Sequence, residues 1–137
     1  MTRINVVPPK ELYDQHLIAE YRETRLLTQN LKRSFASKNG LSKQKIPPQF
    51  TLNTGHVRFF KDKGLYIHKR YQLLQAEMKN RGFVPKFEEI DISVWPTGYF
   101  NDWTPTERDM NIVRERIKEK VAMKPSWYRY YGKSITS

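Results

Sequence analysis

Residues 9–36 read PKELYDQHLIAEYRETRLLTQNLKRSFA, and this stretch decides the fold. With about 100° between successive residues of a helix, Leu17, Tyr21, Thr24, Leu27, Leu31 and Phe35 fall on one apolar stripe. Arg22, Arg25, Lys32 and Arg33 lie off the stripe on its polar side, while His16, Glu20 and Glu23 run along its other border. Pro9 suits an early helical position. The pattern therefore predicts one long amphipathic helix from Pro9 to Ala36.

Working outward, Ser37–Gln49 holds Asn39-Gly40 and Pro47-Pro48 and reads as a mobile basic loop. A short helical turn is expected around Thr54-Gly55-His56. A second long helix is predicted from Lys63 to Arg81, because Ile67, Tyr71, Leu74 and Met78 recur at helical spacing. Gly82 suits its C-terminal cap, with Phe83 as the apolar contact that follows. From Val84 to Trp103 the chain has prolines and no helical period, although alternation over Phe87–Trp95 allows a short strand. A third helix is expected with Thr104 as N-cap, Pro105 in the first turn and Glu107 completing a capping box. Met110, Val113, Ile117 and Val121 mark its buried face, and Pro125 follows its end. The expected fold is an all-α, single compact domain over residues 1–137, built from three main helices with long irregular connections.

The 137 residues suffice for one modest core. Twenty-five Lys and Arg against 14 Asp and Glu give a net charge of +11, which asks for a polyanionic partner. Residues 1–82 carry 16 of those cations against 6 carboxylates, so the positive field belongs mainly to the N-terminal part. A basic nucleic-acid-binding protein without enzymatic activity would share this charge. The chain has no cysteine, which excludes disulfides, thiolate metal sites and a Cys nucleophile. Its three histidines, His16, His56 and His68, have no Cys or close His partner, so no metal site is expected. With no apolar run of membrane-spanning length and no signal peptide, a soluble intracellular protein is expected.

Three features bear on chemistry. Trp127-Tyr128-Arg129-Tyr130-Tyr131-Gly132-Lys133 interleaves rings that stack on unpaired bases with cations that meet phosphates. The same rings would equally serve to close the core. Glu23, between Arg22 and Arg25, is either one half of an ordinary ion pair or a carboxylate held in a basic groove. Gly-rich phosphate loops, nucleophile elbows and zinc-protease motifs are absent, which turns attention to the terminus. Thr2 is small, so removal of Met1 is expected to leave a free Thr2 α-amine. Such an amine has a pKa near 8, against about 10.4 for lysine, and Arg3 beside it lowers the value further. A useful fraction is then neutral and nucleophilic, as at any exposed terminus.

Several stretches resemble the phage-type endonuclease V family of pyrimidine-dimer DNA glycosylase/AP lyases. They are Thr2-Arg3-Ile4-Asn5, Glu11-Leu12, Asp14-Gln15-His16-Leu17, Ala19-Glu20-Tyr21-Arg22-Glu23, Gly55-His56-Val57, Phe59-Phe60, Asp62-Lys63, Lys69-Arg70, Arg81-Gly82-Phe83, Pro125, Trp127-Tyr128 and Tyr130-Tyr131-Gly132-Lys133. The resemblance implies an all-α domain whose N-terminal segment threads between helices into the DNA-binding face. It implies that the Thr2 α-amine attacks C1′ of the 5′ nucleotide of a cyclobutane pyrimidine dimer. Schiff-base formation and β-elimination would follow, with Glu23 serving the cationic sugar and the proton transfers and with no cofactor.

Arg3, Arg22 and Arg116 match positions that grip the backbone beside the lesion, and Gln15, His16 and Lys120 match others near the active site. Arg25, His56, Trp127, Tyr128, Arg129 and Lys133 complete the expected DNA-binding set. The implied partner is double-stranded DNA carrying ultraviolet lesions, met by a monomer in the cytoplasm, at the nucleoid of a bacterial or phage-infected cell. One departure stands out. Thr24-Arg25-Leu26 occupies a place where family members have Leu-Pro and, in the better-known phage form, a basic residue. Arg25 takes the proline position, and Leu26 the cationic one, about 100° away on a helix. The same chemistry on a different damaged base stays open on that ground.

Overall fold

Helix α1 spans Asp14–Ala36 and buries Leu17, Tyr21, Thr24, Leu27 and Leu31 of the predicted stripe, with its last member Phe35 half-buried, while Arg22, Arg25, Lys32 and Arg33 are exposed. The computed structural model describes residues 4–38, 40–41, 46–84 and 89–134. A short helix, α2, covers His56–Phe59, and a long one, α3, covers Gly64–Asn80. Helix α4 covers Glu107–Met123. The fold is thus mostly α, with three long helices as expected and irregular connections between them.

The main packing pair is α1 against α3. Ile67, Tyr71, Leu74 and Met78 supply the buried face of α3. Tyr21 and Tyr71 stack across the pair at 4.7 Å and 9°, worth about 0.5–1.5 kcal/mol beyond the area they bury. Val113 and Ile117 bring α4 onto the same core, with Met110 and Val121 half-buried beside them. A second set of rings, Phe50, Phe59, Phe60, Tyr66 and Trp103, packs largely edge to face around α2.

The end of α3 follows the sequence closely. Phe83 N–H donates to the Met78 carbonyl at 2.8 Å and Gly82 N–H to that of Lys79 at 3.0 Å. This is the Schellman pairing, and Gly82 takes the φ of +86° that it needs. The start of α3 is set by close approach: a Cβ on Gly64 would stand 2.5 Å from the Trp95 ring and 2.7 Å from that of Phe100.

Three expectations require correction. The first helix does not run unbroken from Pro9. Pro9–Glu11 form a separate 3-10 turn, and Leu12 and Tyr13 are extended before α1 begins. The break persists because Arg81 donates to the Pro9 carbonyl and the Tyr130 hydroxyl to that of Lys10, acceptors a continuous helix would have claimed. The third helix starts two residues later than expected. Thr106 is the N-cap, accepting from Asp109 N–H at 3.2 Å while the Asp109 carboxylate accepts from Thr106 N–H at 3.0 Å. Thr104 and Glu107 have the same spacing, but Asp109 is the buried carboxylate that closes the box, whereas Glu107 is exposed.

The strand expected over Phe87–Trp95 is the third. Residues 85–88 lie outside the described residues, and Ile92–Val94 form a 3-10 turn because the Asp91 carboxylate captures the N–H and hydroxyl of Ser93. Among the described residues the strands lie instead in the tail: β1, Arg129–Tyr130, pairs antiparallel with β2, Lys133–Ser134. Of the basic loop expected over Ser37–Gln49, Asn39 and residues 42–45 lie outside the described residues; Gly40 is buried, while Leu41 is exposed and its carbonyl accepts from the Tyr99 hydroxyl. No helix among the described residues is long and apolar enough to cross a membrane.

Candidate nucleic-acid interface and active site

The first described residues run inside the molecule. Ile4 and Val7 are fully buried, and Asn5 and Val6 nearly so. Arg70 of α3 donates to the Val7 carbonyl at 2.5 Å. The same guanidinium grips the Glu20 carboxylate of α1 through two further bonds of 2.7 and 2.9 Å, both side chains being sealed from solvent. Breaking such a buried pair from one side typically costs about 3–5 kcal/mol. The N-terminal segment is therefore tied to the α1–α3 interface.

Sequence reasoning put Glu20 on the border of the stripe and missed Arg70. Glu20 follows Leu17 by three residues and Arg70 follows Ile67 by three, so both sit inside the apolar stripes of their helices. A carboxylate and a guanidinium in matching places on two core-facing helices were the available signal.

His16 and Glu23 are seven residues apart, which puts them within about 20° on one face of α1 and roughly 10 Å apart along its axis. Both are half-buried. The His16 ring stacks on Tyr128 at 4.9 Å and 14°. Burial lowers its pKa to about 4; Glu20 opposes the shift, and Lys120 and Arg116 of α4 add to it. The ring is therefore neutral at physiological pH, and its Nδ1 is buried with no hydrogen-bond partner among the described residues.

Gln15, beside it, accepts from Arg129 N–H at 2.9 Å and donates to the Trp127 carbonyl at 2.5 Å. The start of α1, Arg116 and Lys120 of α4 and the tail thus converge. Trp127 is 55% exposed, whereas Tyr128 is buried against His16. Of this pair, Trp127 is the ring free to meet a base.

The tail is held by a buried charge network. Tyr131 and Gly132 both have positive φ, 54° and 76°, as a two-residue hairpin turn of the primed type requires. Asp14 accepts both of their N–H groups, at 3.0 and 2.7 Å. Arg81 binds Asp14 at 2.9 Å and Glu77 at 2.8 Å, and lies 4.7 Å from the ring centres of both Tyr130 and Tyr131. None of these anchors was singled out from sequence.

The remaining site residues divide. Arg22 is exposed on α1, and Arg129 and Lys133 on the hairpin. Arg25, nine residues after His16 and so on the opposite side of α1 from it, lines a groove with Lys32, Glu89 and Asp91. His56, grouped above with the DNA-binding residues, is 4% exposed. It accepts from Ile4 N–H at Nε2, 2.9 Å, and meets the Thr51 carbonyl through Nδ1, 2.7 Å. Thr2 and Arg3 lie outside the described residues. No group of three or more His, Asp or Glu side chains able to hold a metal occurs among the described residues.

Fold and site together define a basic, mostly helical domain in which Arg116 and Lys120 of α4 and the aromatic tail meet the His16 face of α1. A family model for the pyrimidine dimer DNA glycosylases matches residues 1–91, from the N-terminal segment through α3 and into the first part of the connection to α4. The chain belongs to this family of DNA repair glycosylases, in keeping with its resemblance to the phage-type endonuclease V proteins. Arg116, Lys120 and the aromatic tail lie beyond the matched residues.

Proposed function

We propose that the chain is a bifunctional pyrimidine-dimer DNA glycosylase and AP lyase whose nucleophile is the Thr2 α-amine. The neutral amine attacks C1′ of the 5′ nucleotide of a cyclobutane dimer, and the glycosidic electron pair leaves with the pyrimidine, which takes up a proton. Ring opening and loss of an amine proton give a Schiff base. Removal of a 2′ proton then expels the 3′ phosphate, nicking the strand by β-elimination. Glu23 faces the developing cationic sugar and carries these protons.

One observation carries the reading. The chain from Ile4 to Val7 is buried and pinned at both ends, so the backbone leading to Thr2 is a built part of the core. Glu23 supplies a half-buried carboxylate on the face of α1 it shares with His16. Arg3, Gln15, His16, Arg22, Arg116, Lys120, Trp127, Arg129 and Lys133 form the DNA contact. The partner is duplex DNA with ultraviolet lesions, bound by a monomer at the nucleoid of a bacterial or phage-infected cell.

Glu23→Gln tests the assignment. Single-turnover excision of a dimer is expected to fall by at least about a hundredfold, the lower end of the usual acid–base contribution, with the dissociation constant for the same duplex unchanged within about twofold. Loss of binding in step with activity would refute the catalytic role and leave Glu23 as an ion-pair partner.

A further inference from the structure

The Ile4–His56 hydrogen bond joins the buried N-terminal segment to α2, and neither the family match nor the charge of the site accounts for it. A buried backbone amide needs a partner, and Ile4 N–H finds it in an imidazole rather than in a carbonyl. The ring is committed in three ways. Its Nδ1 stands 2.7 Å from the Thr51 carbonyl, which takes the Nδ1 proton and leaves Nε2 as a lone pair. Phe50 and Phe60 meet it edge to face at 5.5 and 5.4 Å. It opens α2 directly after Gly55, whose φ is +96°.

The segment on the other side of the bond is equally committed. Val6 has φ +47°, an unfavourable value for a β-branched residue, and Val7 N–H closes a three-residue turn onto the Asn5 carbonyl at 2.5 Å. Arg70 then fixes Val7. Among the described residues, the bond to His56 is therefore the hydrogen bond nearest the terminus. Two residues separate Ile4 N from the Thr2 amine, so covalent geometry keeps the two nitrogens within about 7 Å.

We infer that His56 is a positioning residue, a neutral imidazole acceptor that registers the N-terminal segment so that the α-amine meets C1′. This rests on the α-amine reading above. A misplacement of about 1 Å in a reacting group typically costs on the order of a hundredfold in rate, whereas a residue that only filled space would affect stability and leave the rate of the folded protein alone.

The test compares His56→Phe, which keeps a ring and removes the acceptor, with His56→Gln, whose amide oxygen reaches the place of Nε2. Three quantities are measured on the full chain: single-turnover excision of a thymine dimer, the rate of borohydride trapping on an abasic duplex, and the dissociation constant for a duplex with a tetrahydrofuran site. His56→Phe should slow excision and trapping by roughly 10- to 100-fold with binding within about twofold, and His56→Gln should recover most of the loss. Unchanged rates in folded His56→Phe, or rates and binding falling together, overturn the inference.

If His56→Phe does not fold, the wild-type protein decides. A through-hydrogen-bond nitrogen–nitrogen coupling between Ile4 N–H and His56 Nε2, together with slow exchange of that amide, supports the contact; its absence with fast exchange overturns it. Mapping the wild-type adduct separates the two claims. An adduct on Thr2 with no effect of His56→Phe defeats only the positioning role, and an adduct elsewhere defeats the α-amine reading and this inference with it.

Discussion

Leu26 is half-exposed on the face of α1 that points away from the core, one turn after Arg22 and three residues after Glu23. On the proposed DNA-binding reading, a cation at this position would add a phosphate contact that Leu26 does not make. Leu26→Arg is therefore expected to tighten binding to dimer-containing duplex and to steepen the slope of log K against log salt by about one. An unchanged slope would mean that this turn of α1 stays clear of the DNA. His16 makes a separate prediction. Its folded pKa of about 4 lies below the ordinary value near 6.5, so the unfolded chain binds this proton first as pH falls. Stability that depends on a neutral His16 is complete above about pH 6.5 and is lost between there and pH 4. His16→Gln should flatten the fall in urea midpoint over that window, and the ring signal of the wild type should titrate near pH 4 by NMR. A midpoint near 6.5 would contradict the burial argument.

At the scale of elements, the long helices were legible because each buries one stripe, and the periodicity of Leu17–Leu31 and Ile67–Met78 records it directly. The cap at Gly82 was legible too, since a helix C-terminus needs a residue tolerant of positive φ. What escaped was set by contacts distant in sequence. The break after Glu11 depends on Arg81, 70 residues away, in a stretch where local pattern favours continuing the helix. The tail hairpin depends on Asp14, which accepts the N–H groups of Tyr131 and Gly132 from 117 and 118 residues away. Arg81→Met leaves the Asp14 and Glu77 carboxylates buried without their cation and should cost about 3–5 kcal/mol in unfolding free energy. It should also raise the protease sensitivity of residues 127–134. A variant within about 1 kcal/mol of the wild type would show that the aromatic tail is held by its rings alone.

Across the whole molecule, the charge of +11 announced a polyanionic partner, and membership of a DNA glycosylase family meets that expectation. The candidate site was legible in part. Gln15, His16, Arg116, Lys120 and Trp127 converge, although they lie as far as 112 residues apart in the chain. Arg25 and His56 do not join them, because helical phase carries Arg25 to the far side of α1 and burial takes His56 inside. Sequence spacing gives no depth along a helix border, so Glu20 and Glu23 looked alike before packing separated one into the core and the other beside the cationic face.

The central proposal is that the α-amine of Thr2, two residues ahead of the buried Ile4–Val7 segment, is the nucleophile. Borohydride reduction of the wild-type protein on a duplex with a single thymine dimer, followed by peptide mapping, tests it most directly. The account predicts one adduct, on the Thr2 α-nitrogen, and none when Met1 is retained ahead of it. An adduct on a lysine side chain, or trapping that persists with the terminus blocked, would contradict it.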